Sequence, residues 1–229
     1  MSINVERQDP EHFPLAPLVE VLRGRSEAIA RLQGGPAHFT EELAIFREEA
    51  SGKSLFLSRA PAELDRPPSD EGNEHQVWYR EPSATFLKAT WPGFFGVKVI
   101  QRIDEDERAS PIDYLERWQF HNQLFGDDVR FLGALDTDRG IRLLISQPAI
   151  AGEPATVEQI RTFFTSNGWR AFEAGGELAF YDPVHEIAIS DTHRGNIVLM
   201  SDGLLAPIDL RVQRLSGSLL DAVLRLCGI

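Results

Sequence analysis

Cysteine is nearly absent: the 229-residue chain holds one, Cys227. A lone thiol has no internal disulfide partner, which excludes a disulfide-stapled secreted scaffold. No secretory h-region and no run of about 18 apolar residues appears, so the sequence reads as a soluble cytosolic protein without a membrane span. Basic charge is also in short supply, with 23 Lys and Arg against 35 Asp and Glu and a formal net charge of −12. That balance excludes a general attraction to nucleic acid or to an anionic membrane, so any phosphate binding must be local. Lysine is the scarcest cation: Lys53, Lys88 and Lys98 are the only three. Internal repeats and low-complexity tracts are missing as well. What is present is a hydrophobic content of 42%, which suits a folded, core-bearing protein.

Apolar periodicity sorts the chain into three parts. Residues 12–60 read as helical, with Leu15, Leu18, Val19 and Leu22 at i, i+3, i+4, i+7 and a second periodic stretch in "FTEELAIFREEA". The Pro-, Asp- and Glu-rich stretch "RAPAELDRPPSDEGNE" lacks apolar period and reads as a linker, which places a boundary near residue 66. From His75 the texture changes to a hairpin of His75–Tyr79 and Ala84–Thr90. A helix opened by Ser110-Pro111 follows, and then two more strands around the turn "TDRG". In the last third, "PATVEQIRTFFTSNG" reads as a helix. "NIVLM" and the strand ending in "PID" flank the tight turn "SDG", and a short amphipathic helix closes the chain.

The chemistry gathers in "SDTHRGN" and "PIDL". Asp191 and Asn196 are five residues apart in one loop, and Asp209 lies thirteen beyond the asparagine. Asp, Gly and Asn also favour ordinary turns, so the loop taken alone has a structural reading. The hairpin between Asn196 and Asp209 favours a site, because it folds both to the same end. An Asn amide and an Asp carboxylate are hard oxygen ligands that suit Mg²⁺ shared with substrate phosphates. Asp191 can then orient a hydroxyl and accept its proton. Lys88, between Leu87 and Ala89 in a strand of a lysine-poor chain, needs an anionic partner or a place at the strand edge.

These residues resemble the protein-kinase-like superfamily, with "DTHRGN" in the D-x-H-x-x-N form of aminoglycoside and choline kinases. The ordered set "EGNEHQVWY", "FLKATWPGFFG", "YLERW", "LLISQPAIAG" and "PIDL" is similar to the small kinase-like domain of bacterial polyvalent proteins, over about residues 70–210. The resemblance implies an α+β, two-lobed kinase-like fold. An N-terminal helical extension would span residues 1–66, an N-lobe 67–150 and a reduced C-lobe 151–229. It implies ATP and Mg²⁺ as cofactors, Asp191 as the catalytic aspartate, and Asn196 and Asp209 as metal ligands. Lys88 would reach the α- and β-phosphates and pair with Glu116, with Asp113 and Glu107 as rivals. Adenine would bind the carbonyl of Gln147 and the N–H of Ala149, and a loop starting at Gly72 would cover the phosphates. His75 and His193 would shape structure rather than act in chemistry.

Departures from the kinase pattern bear on activity. Ile189 stands where the histidine of H-x-D is usual, "DFG" is "DLR", and "EGNEH" has one glycine where protein kinases have three. Twenty residues follow Asp209, fewer than an activation segment with substrate-binding helices needs. Two functions follow from these features: a phosphotransferase acting on an unidentified protein or small-molecule hydroxyl, or a pseudokinase or nucleotide-binding module without turnover. In the second, the N-terminal helices would act as a partner-docking or capping element.

Overall fold

The computed structural model describes residues 12–101 and 107–229. Two helices open the chain, α1 (Leu15–Gln33) and α2 (Phe39–Gly52). The expected stripe of Leu15, Leu18, Val19 and Leu22 is the buried face of α1. The helix ends at Gly34, whose φ of 72° is the left-handed C-cap a glycine adopts without a Cβ penalty. At the start of α2, the backbone N–H of His38 donates to the Glu41 carboxylate at 2.7 Å, satisfying a donor that a helix start leaves free.

A five-stranded antiparallel sheet follows, built from β1 (Asp70–Glu71), β2 (His75–Arg80), β3 (Thr85–Thr90), β4 (Arg130–Thr137) and β5 (Gly140–Pro148). The strand order is β1-β2-β3-β5-β4, so β5 lies between β3 and β4. Helix α3 (Pro111–Phe125) connects β3 to β4. Ser110 caps it by accepting the N–H groups of Ile112 and Asp113, each at 3.1 Å, and Gly126 ends it with φ 66°. The first helices and α3 share one core: Leu18, Leu22, Ile45 and Phe46 pack with Phe95, Ile112, Tyr114, Trp118 and Phe131. The apolar faces of α1 and α2 are therefore spent inside the molecule.

The last third forms two small sheets. β6 (Glu153–Pro154), β10 (Ile197–Leu199) and β11 (Leu205–Pro207) make one, in the order β11-β10-β6. The other has the order β12-β9-β8-β7, from β7 (Arg170–Ala174), β8 (Glu177–Asp182), β9 (Ile187–Ser190) and β12 (Arg211–Arg214). Helix α4 (Val157–Ser166) and the closing α5 (Gly217–Leu226) cover them. Ile160, Phe164, Phe180, Ile189 and Leu210 form the core beneath α4. Among the described residues the fold is α+β, with five α-helices and antiparallel sheets. Among the described residues no helix is long and apolar enough to cross a membrane.

Candidate active site

Strand β9 ends at Ser190, and the chain turns sharply at Asp191, which adopts φ 62°. A non-glycine residue in the left-handed region is uncommon, and Asp is one of the few that tolerate it. The loop is pinned from several sides. The Asn196 amide donates to the Asp191 carbonyl at 3.0 Å, and the Thr192 hydroxyl donates to the Leu178 carbonyl at 2.7 Å. Gly195 N–H donates to His193 Nδ1 at 2.9 Å. With Nδ1 accepting, Nε2 of His193 carries the ring proton and faces Asp191 Oδ1 at 3.4 Å. Burial raises the Asp191 carboxyl above its ordinary range, and nearby Arg211 and His193 limit that rise.

The thirteen-residue spacing has the expected cause. Strands β10 and β11 pair with Ile197 opposite Pro207, and Ile208 N–H donates to the Asn196 carbonyl at 2.9 Å. The next residue, Asp209, receives two cations from the five-stranded sheet and α3. Lys88 Nζ donates to its Oδ2 at 3.1 Å, and Arg117 Nη2 to its Oδ1 at 2.6 Å. Burial would raise the Asp209 carboxyl, but Lys88 and Arg117 outweigh it and hold the group well below the usual carboxylate range. Its side chain is still 29% exposed, so a ligand can reach it. Both cations also stand over the Trp118 ring, Lys88 Nζ at 5.1 Å and Arg117 Cζ at 4.9 Å from its centroid.

A second set of contacts fixes the backbone around Asp209. Arg117 Nε donates to the Leu210 carbonyl at 2.7 Å, and the buried Gln147 amide donates to the Ile208 carbonyl at 2.7 Å and to Asp127 Oδ2 at 2.6 Å. Leu210 N–H points at His121 Nε2 at 3.5 Å, while His121 Nδ1 meets Asp127 Oδ2 at 3.1 Å. That pattern requires a neutral ring protonated at Nδ1, in keeping with the burial that lowers the His121 pKa. Nearby, His75 is buried, bonds the Tyr114 hydroxyl at 2.9 Å and is pushed down by burial to about 4.

Lys88, Asp191, Asn196 and Asp209 therefore lie together, whereas Glu116, Gln147, Ala149 and Gly72 have other protein partners. Glu116 does not meet Lys88: it accepts from Arg23 at 2.7 Å and lies 3.7 Å from Arg214. Its neighbour Arg117, about 100° further round the helix, faces the site instead. Asp113 accepts from Arg23 at 2.5 Å, and the carboxylate that Lys88 meets is Asp209. Ala149 N–H donates to the Ala84 carbonyl at 2.8 Å and is closed to an adenine. Gln147 pairs with Phe86 of β3, and its buried side chain positions Ile208. Gly72 N–H donates to the His75 carbonyl at 2.9 Å, and its carbonyl accepts from Trp91 Nε1 at 3.0 Å, so neither group faces a phosphate.

Three site residues have no counterpart in the sequence reading: Glu74, Arg117 and Arg211. Glu74 Oε2 accepts from Arg117 Nη1, and Arg117 overcomes the effect of burial to keep this carboxyl below its ordinary pKa. Gly96 makes room for it, since a Cβ there would lie 2.7 Å from Glu74 Oε1. Adjacent Glu116 and Arg117 in "YLERW" were the available signal, because neighbours on a helix serve different faces.

The donor chemistry admits a divalent cation of the Mg²⁺ kind. Asp209 and Asn196 supply two hard oxygen groups on adjoining chain segments, few enough that phosphate oxygens would have to complete the shell. Among the described residues no group of three or more His, Cys, Asp or Glu side chains converges to hold a metal without such help.

A family model described as "Serine/Threonine/Tyrosine Kinase found in polyvalent proteins" matches residues 40–215. None of the curated proteins and none of the solved structures matches the chain.

Proposed function

Because the chain belongs to the family of serine/threonine/tyrosine kinases found in polyvalent proteins, we propose that it transfers the γ-phosphoryl group of ATP, with Mg²⁺, to a hydroxyl acceptor in a reduced two-lobed kinase-like fold. The observation that carries this reading is the convergence on Asp209. A strand lysine and a buried arginine donate to one partly exposed carboxylate, and the Asn196 carbonyl holds the residue before it.

In this reading Lys88 moves from Asp209 to the phosphates, a short transfer for a flexible ammonium. The Mg²⁺ held by Asn196 and Asp209 would neutralise phosphate charge. Asp191 holds the acceptor hydroxyl and takes its proton. The hydroxyl oxygen bonds to the γ-phosphorus as the bond to the bridging oxygen breaks, and ADP departs with that electron pair. The left-handed turn at Asp191, tied by the Asn196 amide, fixes the carboxylate in place, and fixed placement is the main protein contribution to phosphoryl transfer. Arg117, Gln147 and His121 act as positioning residues by holding the backbone of Ile208–Leu210.

The test is Asp191→Ala in an assay for ADP release and self-phosphorylation. The variant is expected to lose turnover and keep nucleotide binding; turnover within tenfold of the parent would remove Asp191 from this role. A nucleotide-binding module without turnover is the second reading, favoured by Ile189 in place of the usual histidine and by "DLR" in place of "DFG". Binding by the parent chain with no ADP release for any hydroxyl acceptor tried would support it.

A further inference from the structure

Three cations stand in the site, and two of them are committed. Lys88 and Arg117 donate hydrogen bonds to Asp209, and Arg117 to Glu74 as well. Arg211 differs. Its Nε lies 3.6 Å from Glu74 Oε1 and 3.8 Å from Asp191 Oδ2, both well beyond the 2.7–2.9 Å of a charge-assisted hydrogen bond. Nε is buried yet has no hydrogen-bond acceptor, and Glu74 Oε1 opposite it has no donor. A buried, unsatisfied charged donor is costly, and such groups call for an explanation.

The backbone that carries Arg211 is firmly held. In the β12–β9 pairing Arg211 sits opposite Ser190, the residue before Asp191. The preceding Leu210 is fixed through its carbonyl by Arg117. A rigid backbone thus holds a loosely paired guanidinium, 23% exposed, beside the proposed proton acceptor. Arginine matches the oxygens of a phosphate with a planar fork of donors, whereas the acids now beside it are too distant for that geometry.

Resting on the phosphotransferase reading, we propose that Arg211 is a catalytic residue: its guanidinium contacts the non-bridging oxygens of the terminal phosphate placed next to Asp191. It stays protonated throughout. It moves from two weak contacts to the phosphoryl oxygens, and opposes the charge there while the acceptor oxygen bonds to phosphorus and ADP leaves.

Calorimetric titration of the full chain with ADP and with the β,γ-imido analogue of ATP, each with Mg²⁺, tests this. The parent is expected to bind the analogue more tightly than ADP. In Arg211→Gln that preference falls about tenfold or more, the usual effect of losing one charged hydrogen bond, while ADP affinity stays within about twofold. A merely structural clamp on Glu74 and Asp191 would lower turnover without moving the ratio. An unchanged ratio in folded Arg211→Gln therefore overturns the assignment, and so does a parent that binds both ligands equally. Should Arg211→Gln not fold, Arg211→Lys decides on the same ratio, a several-fold fall supporting the role and none overturning it. A parent that binds neither nucleotide defeats the phosphotransferase reading itself, and this inference with it.

Discussion

Replacing Arg117 by methionine keeps most of the side-chain volume and removes the charge between Glu74 and Asp209. The arginine side chain is 7% exposed, and Glu74 is 11% exposed. Removing one member of a buried ion pair costs about 3–5 kcal/mol, because the partner is left charged and poorly solvated. Here the lower end applies. Asp209 keeps Lys88 at 3.1 Å, and Glu74 keeps Arg211 at 3.6 Å. The lost bond to the Leu210 carbonyl adds to the cost, so about 3 kcal/mol is expected. At about 2–4 °C per kcal/mol for a chain of this size, the melting temperature falls by about 6–12 °C. Urea unfolding followed by tryptophan fluorescence measures the change, and Trp118 under the guanidinium reports locally. The same substitution in a Glu74→Gln background is expected to cost about half as much, since one stranded charge has already gone. A loss below about 1 kcal/mol, or equal losses in the two backgrounds, would refute the reasoning.

Stability is expected to fall in acid, with a first loss between pH 6.5 and 4. His75 has a folded pKa of about 4 against an ordinary 6.5, so in that window the unfolded chain binds a proton and the folded chain does not. The loss from this one group is on the order of 3 kcal/mol, and His121, also lowered, adds in the same direction. The lowered Asp209 extends the loss below pH 3.8. Urea midpoints across this range check the trend, and His75→Gln should flatten it; a parent curve flat from pH 7 to 4.5 contradicts it. Arg23→Met should cost about 3 kcal/mol at pH 8, because it strands Glu42, Asp113 and Glu116. The cost should shrink as pH falls, because burial already raises the Glu42 carboxyl and loss of Arg23 raises it further, so the variant gains a proton before the parent does; a cost that grows toward acid would overturn this. Gly152→Ala should cost about 1–3 kcal/mol by thermal melting, since its Cβ would lie 2.3 Å from the Leu199 carbonyl oxygen. A variant as stable as the parent would show that the β6–β10 contact yields easily.

Much of the fold was legible where one physical signal dominated. The stripe of α1, the Ser110-Pro111 start of α3 and the hairpin around "SDG" each rest on local chemistry, and each forms. The sheet of β7, β8, β9 and β12 was hidden for the opposite reason: β12 pairs with β9 across more than twenty residues, and "IAIS" is too short and too uniformly buried to alternate. In the site, Asp191, Asn196, Asp209 and Lys88 were legible because a hairpin and a strand lysine fix their relations. Glu116 misled because helix phase, not residue type, decides which side chain faces inward, and at that phase the chain has Arg117. The Ala149 amide was unreadable in principle, since whether an N–H is free depends on which strand lies beside it.

The most direct test of the central claim is a thermal melt with ATP and Mg²⁺ together, run on the parent and on Asp209→Asn. Ligand at about a hundred times its dissociation constant stabilises by about 2.7 kcal/mol, a rise of about 5–11 °C in melting temperature for a chain of this length. Such a rise is expected in the parent with the pair, little with Mg²⁺ alone, and none in Asp209→Asn. An equal rise in Asp209→Asn, or no rise in the parent, would contradict a nucleotide site centred on Asp209.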